Sequence, residues 1–211
     1  TGECKFDSED FISLLELCNT FPKEYDYDSG ESESTASLLR SGKVLLTSVN
    51  MSSFSDIQMY PALYGEPVNF IGFPTNSGSG SVVGFNNRFC VAAKSKNKEG
   101  AWAFIRSFLL PDNQNKLDWN LPVNKAVFEQ KIADAMKKQD DNDSVASSTW
   151  WYDDVEITVG PLTEEDAQAV RDMVYNATTE AAYDQQLMNI ITEEAEYYFN
   201  GEKSADRKSV V

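Results

Sequence analysis

The sequence predicts an α/β domain, and three observations lead there. Short β-favouring runs occur at Val44–Val49, Val68–Phe73 and Arg88–Ala93. Amphipathic stretches with helical spacing lie before and after those runs. No apolar run approaches the roughly 20 residues that a membrane helix needs. Strands mixed with many helices define the α/β class. At 211 residues, 41% hydrophobic and 25% charged, the chain is long enough to bury a core.

The elements follow in order. Ser8 is a natural N-cap, Glu9 and Asp10 favour the positive end of a helix, and Phe11, Leu14, Leu15 and Cys18 make one apolar stripe that Pro22 stops. The acidic, Ser-rich stretch from Tyr25 to Thr35 reads as an exposed loop. A short helix through Ala36–Arg40 should end at Gly42. Strands are expected at Val44–Val49 and Val68–Phe73, joined by a long polar and aromatic connection from Asn50 to Gly65. The Gly/Ser-rich segment 76–84 is too short for a domain linker and suits a flexible or ligand-facing loop before the third strand, Arg88–Ala93.

Beyond Lys96 the pattern turns helical. Trp102, Ile105, Phe108 and Leu109 share a face, and Pro111 closes that helix. Trp102 and Trp119 are both assigned to packing. Asn124 is the expected N-cap of a helix that turns Phe128, Ile132, Ala135 and Met136 inward. Thr163 with Asp166 three residues on is a capping-box pattern. The last helix carries Leu187, Ile190, Ile191, Tyr197 and Tyr198 and stops at Gly201.

Composition removes several function classes. The net charge of −16, from 34 acidic against 18 basic residues, repels phosphate backbones and anionic lipid, so no nucleic-acid or peripheral-membrane role is expected. Histidine is absent, which excludes Ser-His-Asp and Cys-His catalysis and histidine-bearing zinc sites. The three cysteines, Cys4, Cys18 and Cys90, contain no CxxC; Cys4 and Cys18 can bridge or stay free, and a chain of this size needs no such staple. No metal site is expected: Asp140, Asp141, Asn142 and Asp143 lack the Gly and distal Glu of a calcium loop. No cofactor motif is present either, since the glycine-rich segment is not followed by Gly-Lys-Ser/Thr.

A set of ordered pieces carries a family resemblance. Ser41–Leu46 leads into Val49-Asn50-Met51-Ser52-Ser53-Phe54; then come Phe73-Pro74-Thr75, the glycine-rich loop and Phe89–Ser95. A helix begins at Asn97–Ile105, followed by Leu121-Pro122-Val123-Asn124 and finally Tyr198–Ser204. This order resembles the second half of the extracellular solute-binding proteins of the maltose-binding type, over roughly Leu38 to Ser204. The resemblance implies a type II periplasmic-binding-protein-like fold in which this chain is mainly the C-terminal lobe, with most of the first lobe missing. Residues 1–91 and 122–206 would be second-lobe elements of a single truncated unit, and 92–121 would pack on the absent lobe. The closing run Arg207–Val211 departs from the family, whose last helix usually continues.

The resemblance also implies a function. Such a protein is not an enzyme; it captures a sugar or oligosaccharide outside the cell and delivers it to the permease subunits of an ABC importer. It would sit at a bacterial cell surface, attached to membrane only through a lipid anchor outside this chain. An export signal would lie outside it as well.

Sugar recognition needs aromatic faces and planar polar groups in a largely pre-formed cleft. Asn50, Ser52, Phe54 and Asp56 are offered together just past a predicted strand end, and in similar proteins the matching loop carries an aromatic ligand contact that falls near Phe54. The competing reading packs Phe54 into the core and leaves the polar groups to cap turns. Gly78, Ser79, Gly80 and Ser81 form a second candidate, because glycine permits close backbone approach. Arg88 is better read as paired with a surface acid. Trp150, Trp151 and Tyr152 are adjacent; helical neighbours point about 100° apart, so at least one is exposed or stacked, as a ligand platform or as cover between lobes. Two alternatives compete with the importer. A glycoside hydrolase needs two carboxylates and no histidine, and a surface lectin needs no transporter.

Overall fold

The computed structural model describes residues 6–23, 33–73, 80–137, 148–152, 155–181 and 184–205, with the backbone alone at Ser148 and Trp150. The elements run α1 (Glu9–Cys18), α2 (Thr35–Arg40), α3 (Asp56–Tyr64), β1 (Val82–Val83), α4 (Lys98–Ser107), α5 (Pro111–Gln114), α6 (Lys125–Ala135), β2 (Ser148–Tyr152), β3 (Val155–Val159), α7 (Glu164–Asn176), β4 (Thr179–Glu180) and α8 (Gln185–Phe199). They form two compact units, Thr1–Ser32 with Ala182–Val211, and Glu33–Ala181.

The smaller unit holds α1 and α8. Ser8 caps α1 by accepting from Phe11 N at 3.2 Å, and Asp184 caps α8 by accepting from Gln186 N at 2.9 Å. The Lys23 ammonium donates to the Phe199 carbonyl, so the chain after α1 is fastened to the end of α8. Lys203 pairs with Glu194 at 2.8 Å and lies 4.5 Å from the Tyr197 ring centre. Gly201, at φ +77°, ends α8 in the left-handed conformation that glycine adopts most readily.

The larger unit is organised around two apolar clusters. Ile57 of α3, Phe128 and Ile132 of α6, and Leu162, Ala167 and Val170 around α7 form the first; Phe54 and Phe70 pack against its edge. Ala36, Leu63, Ile157 and Val159 form the second, between α2, α3 and the β2–β3 hairpin. Thus α3 contributes to both clusters. The hairpin is antiparallel, with Trp150 opposite Ile157 and Trp151 opposite Glu156. A two-residue parallel ribbon pairs β1 with β4, and Arg88 bonds Glu180 beside it at 2.6 Å. Mixed helices and short sheets of this kind fit an α/β, periplasmic-binding-like fold.

Local signals were obeyed. Asn124 caps α6, and Thr163 and Asp166 form the complete capping box at α7. Signals that needed a distant partner were not. Val44–Val49 joins no ladder, and Leu45 is 91% exposed. Of Val68–Phe73 only Gly72 pairs, in an isolated bridge with Gly80; Arg88–Ala93 forms no strand. A β-favouring run becomes a strand only where a neighbour takes its N–H and C=O groups. Trp150–Tyr152 is strand rather than helix, because Val155–Val159 supplies that neighbour.

The 50–65 connection contains α3, which Pro61 hides from a sequence reading. Pro111 opens α5 instead of closing α4, at the first-turn position where its missing N–H costs nothing. Trp102 and Trp119 are 52% and 78% exposed, not packed, because no described element covers the outer face of α4 or the turn at 119.

A clasp joins α6 to α7. Glu129 accepts from Arg171 Nε at 2.9 Å and from Tyr175 OH at 2.8 Å, with the Lys125 ammonium 5.5 Å from the Tyr175 ring centre. The hydrogen bonds from Tyr175 and then Arg171 hold the Glu129 carboxyl below its ordinary value, and the same bond to Glu129 raises the Tyr175 hydroxyl. A depressed carboxyl contributes stability that is complete above its unfolded pKa and is lost as pH falls through the folded one. Glu129→Gln should therefore shrink the drop in melting temperature between about pH 6 and pH 3. Core and surface should also separate cleanly in urea unfolding. Ile132→Ala, at a fully buried position, should cost roughly 2–5 kcal/mol, whereas Trp119→Ala should stay within about 0.5 kcal/mol.

Candidate functional site

The loop before α3 is held by one carboxylate. Asp56, the first residue of α3, is buried and accepts from Ser52 N at 2.7 Å and Ser53 N at 2.8 Å. Ser53 and Ser55 exchange a hydroxyl bond at 2.7 Å. This closes a tight polar turn whose rim carries Asn50 and Ser52, both exposed. Phe54 points the other way: its ring lies 5.5 Å from that of Phe128, on the edge of the core. The Asn50 carbonyl accepts from Tyr60 OH at 2.8 Å, which ties the start of the loop to the second turn of α3.

Farther along α3, Gln58 bonds in three directions. Its Nε2 donates to Asp166 Oδ2 at 2.9 Å and to the Pro161 carbonyl at 3.3 Å, and its Oε1 accepts from Gly160 N at 3.0 Å. Burial works to raise the Asp166 carboxyl, but the bonds from Gln58 and Thr163 outweigh it and the pKa is lowered. Asp166 stays ionised as the partner of both the α7 cap and α3.

Gly80 and Ser81 sit where the chain crosses itself. Gly80 is buried and its carbonyl accepts from Phe73 N at 3.1 Å. A Cβ on Gly80 would fall 1.4 Å from the Phe73 carbonyl oxygen. One on Gly72, at φ +68°, would fall 2.3 Å from Ser81 N. The glycines are needed for backbone-to-backbone approach. Gly78 and Ser79 lie outside the described residues, as do Cys4 and the acidic run Asp140–Asp143.

The hairpin presents two faces. Ile157 and Val159 are buried against α3, while Thr149, Trp151, Glu156 and Thr158 face outward. Trp151 is 66% exposed beside its cross-strand neighbour Glu156, and the Thr149 and Thr158 hydroxyls bond at 3.0 Å. An open indole flanked by a carboxylate and hydroxyls is well made to stack on a ligand ring and bond its edge.

The structure therefore unites Asn50, Ser52, Phe54 and Asp56 in one turn, and places Trp150 and Trp151 on the hairpin and Gly80 and Ser81 at the crossing. The three sets lie on different parts of the larger unit: the loop before α3, the hairpin and the chain crossing. A shallow hollow of about 220 Å³ between α5 and α6, lined by Pro111, Asp112, Ala126 and Gln130, touches none of them. It is smaller than the roughly 300 Å³ at which ligand pockets begin. Tyr60, Tyr64 and Gln58 were not singled out from the sequence; the i, i+4 spacing of the two tyrosines was the available signal.

Asp56, Glu129 and Asp166 are each engaged in holding the fold, and among the described residues no three His, Cys, Asp or Glu side chains converge on a metal position. Cys18 and Cys90 are free thiols, and no described helix is long and apolar enough to cross a membrane. The elements themselves are those of an α/β chain. Residues 7–142, more than half of the sequence, match the bacterial extracellular solute-binding protein family, and the chain belongs to it. No curated protein matches the chain.

The crossing at Gly80 can be tested directly. Gly80→Ala should lower the melting temperature, because its methyl group meets a carbonyl oxygen that cannot give way. Gly84→Ala, with open space around the new Cβ, should leave it nearly unchanged.

Proposed function

We infer that this chain captures a carbohydrate outside the cell and passes it to the permease subunits of an ABC importer, without chemical change. Membership in the solute-binding family supports capture and delivery as the general role. The observation that carries the carbohydrate reading is Trp151, an indole left open on the outer face of β2 between hydrogen-bonding neighbours. Leaving such a surface exposed to water is unfavourable, and the C–H face of a sugar ring can cover it while its hydroxyls stay bonded.

In this reading Asn50 and Ser52 supply the planar and hydroxyl contacts, and Asp56 holds their turn in shape. Phe54 serves the turn from beneath by anchoring it to Phe128. Gly80 and Ser81 bring main chain to the ligand, and Trp151, next to Trp150 in the same strand, provides the platform. The strongly acidic surface suits a neutral ligand and keeps anionic lipid headgroups away. The proposal includes a second lobe that completes the cleft. Its support is apolar surface left open at Leu45, Leu46, Phe89 and Phe104. It also includes a lipid anchor outside this chain.

A thermal-shift screen against mono- and oligosaccharides tests the reading. A bound sugar should raise the melting temperature, with about 2.7 kcal/mol of stabilisation at a hundredfold excess over its dissociation constant. Trp151→Ala should abolish the shift while leaving the unliganded melting temperature in place. If peptides or amino acids shift the protein and sugars do not, the carbohydrate assignment is wrong.

A further inference from the structure

The negative charge of this chain is unevenly spread. None of its 34 acidic residues falls within residues 34–55 or 67–98. The β-favouring runs 44–49, 68–73 and 88–93 all lie inside these acid-free stretches. The first is the most open. Leu45 is 91% and Leu46 67% exposed, and Thr47 and Ser48 are exposed beside them. The run is held at both ends: Val44 N donates to the Leu38 carbonyl at 3.2 Å, and the Asn50 carbonyl accepts from Tyr60 OH at 2.8 Å. Between those ties, among the described residues, the backbone of residues 45–49 makes no hydrogen bond.

Open N–H and C=O groups along a β-favouring run are what an incoming strand pairs with. The run holds no Gly, no Pro and no charge, which is the composition of a self-pairing segment. The charges that flank it are already used. Lys43 pairs with Glu33 at 2.7 Å, and Asp56 is buried and accepts from Ser52 N and Ser53 N. An acidic or basic partner therefore finds no counter-charge here. Charge favours a second copy instead. Two chains of net charge −16 repel each other wherever acids face acids, and along this run none do.

We propose that residues 44–49 are an edge through which two copies of this chain pair antiparallel, as a weak two-fold dimer. A two-fold axis through Thr47 places Thr47 opposite Thr47 of the second copy, Leu45 opposite Val49 and Leu46 opposite Ser48. Every cross-strand pair is then uncharged, and Thr–Thr and aliphatic pairs are favourable ones. Six residues a side are fewer than the roughly 20–30 of a standard interface, so the dimer forms only at high concentration. The inference goes beyond the carbohydrate reading and does not depend on it. It concerns the edge at Leu45 and Leu46 while no second lobe lies on it.

Sedimentation of the 211-residue chain from about 10 μM to about 1 mM, the range of weak association, tests the edge. A monomer–dimer equilibrium is expected. Its dissociation constant should fall as salt rises from about 0.05 M to about 0.5 M, because salt screens the repulsion between acidic surfaces. Leu45→Lys puts a charge on the edge, and Thr47→Asp sets like charges face to face. Each should weaken the dimer by about tenfold or more. Both positions are exposed, so the melting temperature of the monomer should hold. Trp119→Ala, on another exposed segment, should leave the dimer as it is. A monomer throughout, association that survives Leu45→Lys or Thr47→Asp, association that weakens with salt, or growth past the dimer overturns the proposal. None of these outcomes touches the carbohydrate reading, whose thermal shift is measured on its own.

Discussion

Gln58 joins parts of the chain that lie more than 100 residues apart in sequence. Its amide reaches the main chain between β3 and α7 and the Asp166 carboxylate at the start of α7, and both ends of the amide are used. Each turn of α3 around it has a separate duty. Asp56 closes the loop in front, Ile57 enters one cluster and Leu63 the other, and Tyr60 bonds back to Asn50. Arg40 finishes the helix by donating to the Leu63 and Ala62 carbonyls at 2.9 and 3.3 Å. Helix α3 is only nine residues long, too short to be stable alone, so its tertiary partners hold it in place. The candidate site inherits its geometry from that anchoring.

The carboxylates whose acidity the fold shifts serve the fold itself. A hydrolase needs carboxylates whose surroundings set their acidity for proton transfer, and such groups stand free to meet substrate. Among the described residues the carboxylates with lowered pKa values are each bonded to neighbours: Asp166 to Gln58 and Thr163, Glu129 to Tyr175 and Arg171, and Asp134 to Lys137 and Gln130. Trp151 stands open on one face of the hairpin and Tyr152 on the other. That division fits a member of a family whose work is capture and release.

The legible parts of the fold were those whose cause is local. Ser8, Asn124 and the Thr163–Asp166 pair cap helices by bonding N–H groups two or three residues away, and Gly201 ends one through its own backbone freedom. Strands depend on partners that sequence order does not name. Val44–Val49 has the composition of a strand without a ladder, while Trp150–Tyr152 became one because Val155–Val159 folds back on it. Pro61 masked α3, and with it the i, i+4 pairing of Tyr60 and Tyr64. Of the site, the Asn50–Asp56 loop was readable as a polar turn. The inward direction of Phe54 was not, since it depends on Phe128, far along the chain.

The central claim is that a ligand is held by the loop in front of α3 and by the hairpin behind it, with α3 coupling the two. Amide hydrogen exchange of the chain, with and without the sugar that gives the largest thermal shift, addresses it most directly. The account predicts slower exchange at residues 50–64 and 148–159 together. These segments include Ser52 N and Ser53 N, which Asp56 already holds. Protection confined to other segments, or unchanged exchange in both of these under saturating ligand, would contradict it.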